Sequence, residues 1–441
     1  MNNLKKALPI HVISFASTRY FPDQEVLDQS ILQIQDSLSS SFANNDASAQ
    51  LLFRQVTSEE ELKAVEESEA MDFAVFIIMS GAVQPWVLKA AKKVKSVGLL
   101  ASYVKGVFDD SLSDVLLEKN AAPAIMDIYA VLKKEHGGVH WLENIDQCRR
   151  LWRSSQAIYR LNGSKLLLVG QTEPWVISAS RDYNKVKERF GIDVEVVPLE
   201  DVYAMYRSLS DQEAEATAQR WIQNAEQIVE PNEKEVFDAG KLVVAIEKLL
   251  EAKEADGLAI ACFELLGNLK TTSCLALSHL NDLDNFIGAC EGDTDSAITM
   301  LLVKALTGKA SWMANPNVQN DGSVNFVHCS APMSLSQAKP QYQLRNHHES
   351  GIGVSTEMEL IPSSTLTLTR IGNDLNTITV QKGIAMDPVK EKSCRTQLKI
   401  KPESIEKYLN DVLGCHQVIV FEDIKEDLVL TGKLLGLEVL A

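Results

Sequence analysis

Compact apolar runs alternate with helix-spaced segments through the first third of this chain, and that alternation most narrows what it can fold into. Ile10 to Ala16 is a short apolar run, Glu25 to Ser40 has helical spacing, and Gln50 to Val56 reads as a strand. Ser58-Glu59-Glu60-Glu61 has the pattern of a capping box opening an acidic helix. Asp72 to Met79 is strongly apolar, and Gln84 to Val97 reads as a basic amphipathic helix. This β-α-β-α order implies a doubly wound parallel sheet. Ligands on such sheets gather at the carboxyl ends of strands.

A long helix, roughly Asn144 to Leu161, joins this module to a second one after the break Asn162-Gly163-Ser164. The second α/β round starts with the strand Lys165 to Val169 and the loop Gly170 to Trp175. It continues with the helix Asp182 to Phe190 and the strand Asp193 to Val197. Ser210 to Ala255 is mostly helical with a break near Pro231, and its charges read as a solvated face. Gly257 to Cys262 is a buried strand, and Phe286 to Cys290 leads through Glu291-Gly292-Asp293 into a helix, Ser296 to Leu306. After Gly308, alternation dominates at Val324 to Val327, Val354 to Leu360, Thr365 to Arg370 and Thr377 to Val380. That texture implies an antiparallel sheet or small barrel. The end returns to α/β with a strand, Gln417 to Phe421, and an amphipathic helix to Leu435. The expected fold is α/β: two Rossmann-like doubly wound domains, 1–161 and 162–309, followed by a β-rich, barrel-containing domain, 310–441.

The balance of 43 basic against 60 acidic residues leaves −17, which argues against nucleic acid or an anionic membrane as the main partner. No run reaches the length of a membrane span. The start, Met1 to Ser17, faintly imitates a signal peptide, but Pro9, His11 and Ser14 interrupt it and a first β-strand is the better reading. The 7 cysteines are scattered without a Cys-x-x-Cys pair, so a reducing cytoplasm fits them and disulfides or a zinc ribbon do not.

Four places can carry chemistry. Glu291 follows a buried strand at the sheet's carboxyl edge, although Glu291 and Asp293 also suit a helix cap. Asn315, before Pro316, reads first as a turn at a strand's end. In Asn325 to Pro332, His328 and Cys329 are neighbours on a strand and face opposite ways, which implies a buried Cys329 behind an exposed His328. Arg345-Asn346-His347-His348-Glu349-Ser350-Gly351 packs two of the 8 histidines, an acid and an arginine before a turn-forming glycine. Imidazole with carboxylate can bind a divalent metal or move protons near neutral pH.

These motifs together resemble the L-fucose isomerase / L-arabinose isomerase superfamily. The resemblance rests on Cys290 to Asp293, Met313 to Pro316, His328 to Pro332 and Arg345 to Gly351, with the loop Gly170 to Ser180 and the ending His416 to Phe421. It looks closest to the shorter L-fucose isomerase-like proteins. The resemblance implies two α/β domains and a barrel-containing C-terminal domain, a bound divalent metal, often Mn²⁺, and conversion of an aldose to a ketose. It implies Glu291 as ligand and base, Asn315 at the position of a family acid, and His328 and His347 as imidazole ligands. Arg345, Glu349 and Trp175 are the implied substrate contacts. Asn315 can coordinate a hard cation but cannot accept a proton. The implied partner is a small carbohydrate, in a cytoplasmic homo-oligomer, a trimer or hexamer. A metal-dependent lyase or transaldolase-like enzyme on a ketose derivative, and a non-catalytic sugar-binding protein, are the alternatives on the same scaffold.

Overall fold

The computed structural model describes residues 3–46, 48–336, 342–360, 365–387 and 389–441. Contacts divide the chain into two compact units: Ala7–Gln156, and a larger one of Met1–Lys6 with Ala157–Ala441.

The smaller unit is built on β1 (Ile10–Phe15), β2 (Leu51–Val56), β3 (Met71–Ile78), β4 (Val94–Leu100) and β5 (Val139–Leu142), in the order β2-β1-β3-β4-β5. Every pairing is parallel. The central strand β3 is buried at all but one position, as a parallel sheet covered on both faces requires. Ser58 accepts from the Glu61 N–H and opens the helix Glu59–Glu67, as its sequence predicts. One expectation fails here. The helix from Gln84 ends at Ala91, and Val94–Leu100 is strand β4. The β-branched Val94 and Val97 lead into Gly98-Leu99-Leu100, and pairing with β3 outweighs the helical spacing.

The larger unit holds a second parallel sheet. Its strands are β6 (Lys165–Val169), β7 (Asp193–Val197), β9 (Gly257–Ile260) and β10 (Ile287–Ala289), in the order β10-β9-β6-β7; the short β8 is Gln227–Ile228. The remaining strands are β11 (Trp312–Val318), β12 (Val324–His328), β13 (Tyr342–Arg345), β14 (Ser355–Met358), β15 (Leu366–Gly372), β16 (Thr377–Ala385), β17 (Thr396–Pro402), β18 (Gln417–Val420) and β19 (Glu438–Leu440). Six of them run β15-β18-β11-β12-β17-β16, and a β15–β16 pairing closes the ring into an antiparallel barrel. Closure leaves no open edge among those six, while β19 adds parallel to β16. The strands β14-β13-β8 form a small separate sheet.

The helix Thr294–Thr307 joins the two architectures. It packs against β9 and β10 of the parallel sheet and against β11, β15 and β18 of the barrel. Every residue from Thr294 to Leu306 is buried, so the helix carries no solvent face. One continuous apolar core runs from the parallel sheet into the barrel as a result. The turn expected at Asn315-Pro316 is not there, because β11 runs straight through it, with Asn315 opposite Val327. Pro316 lies beyond Ala314, where pairing with β18 stops, so its missing N–H costs no rung on that side.

Candidate functional site

The site grows from the carboxyl ends of the second parallel sheet. After β10 the chain turns through Glu291 and Gly292, both with positive φ of 57° and 59°. A Cβ on Gly292 would lie 2.6 Å from the Gln171 carbonyl, so only glycine fits against that loop. Glu291 has no such excuse, and a glutamate held in the left-handed region marks a place where geometry is imposed for another purpose. The loop after β6 fixes it. The Glu173 N–H donates to the Glu291 carbonyl at 3.0 Å, and the Thr172 hydroxyl donates to the Gly292 carbonyl at 2.9 Å. The Trp175 indole N–H donates to the Glu291 carboxylate at 2.7 Å and sets its rotamer.

Two imidazoles meet that carboxylate. His328 ends β12 and His416 immediately precedes β18. Ligand atoms of Glu291, His328 and His416 all lie within 4.8 Å of one another. The rings of His328 and His416 are edge to face, 5.6 Å apart. His416 Nε2 lies 3.5 Å from Glu291 Oε1 but makes no hydrogen bond. Its other nitrogen, Nδ1, is 2.8 Å from Asp293. Asp293 also caps the helix Thr294–Thr307 through the Ser296 N–H and takes two bonds from Arg370, at 3.0 and 3.2 Å. Arg370 and Asp293 are fully buried. Gly414 lies flat on that guanidinium, where a Cβ would come within 2.6 Å of it.

The charges follow from this packing. Burial works against the Glu291 carboxylate, but His416, then His328 and Trp175, hold it below the usual carboxylate range. Burial likewise opposes the charge on Asp293, and Arg370 and His416 overcome it, so that its carboxyl is pulled well down. His416 loses from burial and gains more from Asp293, so its affinity for a proton is well above that of a free imidazole. His328 is pushed down to about 4, by burial first and then by the charge on His416. It is therefore a neutral ring near pH 7. Its Nδ1 meets the Ser330 hydroxyl at 2.8 Å, which leaves Nε2 for another partner. Burial, then Asp293, pushes the Asp295 carboxyl up to about 7.

The expected residues separate into groups. Glu291 and His328 come together, and Trp175 joins them. The sequence predicts an exposed His328, but it is only 4% exposed, because its ring packs against the buried His416 ring and the Ser330 hydroxyl. His347 lies in a different cluster, with Cys274 and Cys329. It connects to Glu291 through rings that meet edge to face: Trp175 with Phe263 at 5.0 Å, and Phe263 with His347 at 5.7 Å. Asn315 is half-buried and shares a face of β11 with Met313, whose sulfur accepts the Cys290 N–H at 3.1 Å. The Arg345 guanidinium forks onto Glu230 and also pairs with Glu357, and Glu349 is exposed. The sequence singles out His416 only as the first residue of the chain's ending, His416 to Phe421. The signal for it was a histidine directly before an apolar strand, the mirror of His328 at a strand's end.

Comparisons with known proteins bear on the chain's family. Residues 175–309 match a family described as the L-arabinose isomerase central domain. A sulfoquinovose isomerase from Alkalicoccus urumqiensis is 23% identical over 311 residues, 66% of this chain and 67% of that protein. A sulfoquinovose isomerase from Priestia megaterium is 23% identical over 296 residues, 63% of this chain and 64% of that protein. The match therefore takes in about two thirds of these relatives' length. A solved ABC-transporter solute-binding protein from Burkholderia multivorans aligns with 69% of this chain and 95% of that chain at 10% identity, with a TM-score of 0.19, which carries no argument. The family match and the relatives support an isomerase of the arabinose/fucose isomerase superfamily with a carbohydrate substrate. Among the described residues, no helix is long and apolar enough to cross a membrane.

Proposed function

We propose that this chain is a divalent-metal-dependent aldose–ketose isomerase, a relative of the short L-fucose isomerase-like proteins, with a sulfonated aldose such as sulfoquinovose as its first candidate substrate. The carrying observation is the Glu291–His328–His416 cluster, with a buried His416 Nε2 that makes no hydrogen bond. A carboxylate oxygen and two imidazole nitrogens are a donor set for a divalent transition metal such as Mn²⁺. The proposed ligands are Glu291, His328 and His416. Asn315 is kept as a neutral contributor from the barrel wall, and His347 is placed in the neighbouring cluster. Organisation as modules 1–161, 162–309 and 310–441 with two Rossmann-like sheets, cytoplasmic location and homo-oligomer assembly belong to the same reading.

When bound, a divalent ion supplies Lewis-acid polarisation of two neighbouring sugar oxygens. The chain's own residues do the proton work. Glu291 is held ionised and partly exposed, so it can take the C2 proton of an aldose and return it to C1, while the O2 hydroxyl proton passes to O1. Trp175 fixes the carboxylate that must serve both carbons. Asp293 and Arg370 anchor His416 from behind and keep the ring from rotating away. His416 must give up its proton to act as a ligand, so metal binding should release protons and weaken as pH falls.

The test is incubation of the Mn²⁺-loaded protein with sulfoquinovose, L-fucose and L-arabinose, read by mass spectrometry and NMR. A ketose of mass equal to the substrate is expected. Shorter fragments would replace isomerisation by carbon–carbon cleavage, and sugar binding without any product would leave a sugar-binding protein.

A further inference from the structure

The described residues contain a second convergence of metal-ligating side chains that the isomerase chemistry does not use. Ligand atoms of Cys274, Cys329 and His347 lie within 4.8 Å of one another, and all three residues are buried. Cys274 opens the helix Cys274–Asp282, Cys329 follows β12, and His347 lies in the turn after β13. Three donors leave the fourth corner of a tetrahedral ion open. The three residues come from separate segments, so the fold rather than a local motif assembles them.

We propose that Cys274, Cys329 and His347 form a second cation site, specific for zinc(II) and separate from the Glu291 cluster. Zinc bonds of about 2.3 Å to sulfur and 2.0–2.1 Å to nitrogen set tetrahedral donors roughly 3.5–3.8 Å apart. The observed spread therefore closes with side-chain shifts on the order of 1 Å. Buried thiols often pack as small apolar groups. A histidine among them changes the reading, since its nitrogen needs a partner that thiols serve poorly.

The imidazole is prepared for the role. His347 Nδ1 meets the Ser350 hydroxyl at 3.0 Å, which leaves Nε2 as the free ligand nitrogen. The turn itself is held by the Gly351 N–H on the His347 carbonyl at 2.9 Å. Further along, Gly353 has φ +69° and would bring a Cβ within 2.8 Å of the Thr272 backbone, and the Thr272 hydroxyl donates to the Val354 carbonyl at 3.0 Å. These contacts tie the His347 turn to the segment that presents Cys274. Thiolate with imidazole favours a soft or borderline cation, while carboxylate with imidazole favours a harder one. The two clusters therefore sort metals by chemistry although His328 and Cys329 are chain neighbours.

The site is read without any enzyme assay, so its failure and that of the isomerase reading are distinguishable. Full-length protein is stripped of metal, incubated with zinc, dialysed, and measured by inductively coupled plasma mass spectrometry. A zinc bound through dialysis should persist in Glu291→Gln and be lost in Cys329→Ser and His347→Asn. Cobalt(II) added to stripped wild-type protein should give an intense thiolate-to-metal charge-transfer band, and this reading needs no variant to fold. Zinc retained equally in both cluster variants, or cobalt bound without that band, overturns the proposal.

Discussion

The Glu291 cluster and the Cys329 cluster each contain an imidazole whose Nδ1 meets a serine hydroxyl, His328 with Ser330 and His347 with Ser350. Beyond that shared device they differ in charge. The first is backed by a fully buried Asp293–Arg370 pair, and the second is lined by thiols. A buried charge network is costly unless every member is paired. Its presence behind His416 says that this ring, and through it Glu291, must be held in one position. Among the described residues, the thiol cluster has no such backing, which suits a closed structural site better than a reacting one.

The strongest way to break this comparison is through activity. Glu291→Gln keeps an acceptor for the Trp175 N–H but removes the base, so turnover should fall by about 10²–10⁴-fold. Cys329→Ser should change turnover by less than about tenfold, because no proton passes through that cluster. A larger loss in Cys329→Ser than in Glu291→Gln would reverse the two roles.

Stability gives the next contrast. Asp293→Asn leaves the Arg370 guanidinium buried without its charge partner, a loss of about 3–5 kcal/mol in denaturant unfolding. Cys274→Ser buries one hydroxyl in its place and should cost about 1–3 kcal/mol. The pH dependence follows from the directions of the two shifts. Asp293 is depressed in the fold, so its stabilisation is present above the unfolded value of about 3.9 and is lost as pH falls below it. His416 is raised, so its stabilisation is complete below about 6.5 and is lost as pH rises through its folded value. Together they contribute fully between about pH 4 and 6.5, and Asp293→Asn should flatten both limits.

Much of this frame is legible in the residues. The parallel strands announce themselves as apolar runs, and alternation after Gly308 foretells the antiparallel strands that close into a barrel. Glu291 is legible as an acid after a buried strand. His416 is not, because a histidine beside a strand looks the same whether it ends in solvent or in a site. Arg370 sits inside the buried strand β15, and only the fold shows Asp293 waiting for it. The grouping of His347 with cysteines depends on contacts between residues more than fifty positions apart for Cys274, which no local pattern carries. Strand β4 was hidden by a helical spacing that tertiary pairing overrode.

Asp295 offers a milder test on the same buried helix. Its carboxyl accepts the Ser180 N–H at 3.0 Å through one oxygen, while the other has no partner. Its folded value is raised from 3.8 to about 7, so the folded state holds the proton longer than the unfolded chain. Stability should therefore decline as pH rises from about 4 to 7, by a few kcal/mol at most. Asp295→Asn keeps the Ser180 bond and removes the titration, so the variant should unfold at nearly constant denaturant concentration across that range.

The smallest expected effects sharpen the comparison most, because they come from the feature the clusters share. Ser330→Ala removes the hydroxyl that orients His328, and Ser350→Ala removes the one that orients His347. Loss of such an outer partner weakens metal affinity by about 10–100-fold. If the clusters are separate sites, each serine controls one metal. Ser330→Ala should weaken Mn²⁺ binding and leave the cobalt–thiolate band intact, and Ser350→Ala should do the reverse. Titration of both variants with both metals measures four affinities. A crossed effect, in which one serine weakens both metals alike, would mean that the rings of Trp175, Phe263 and His347 couple the clusters into a single site.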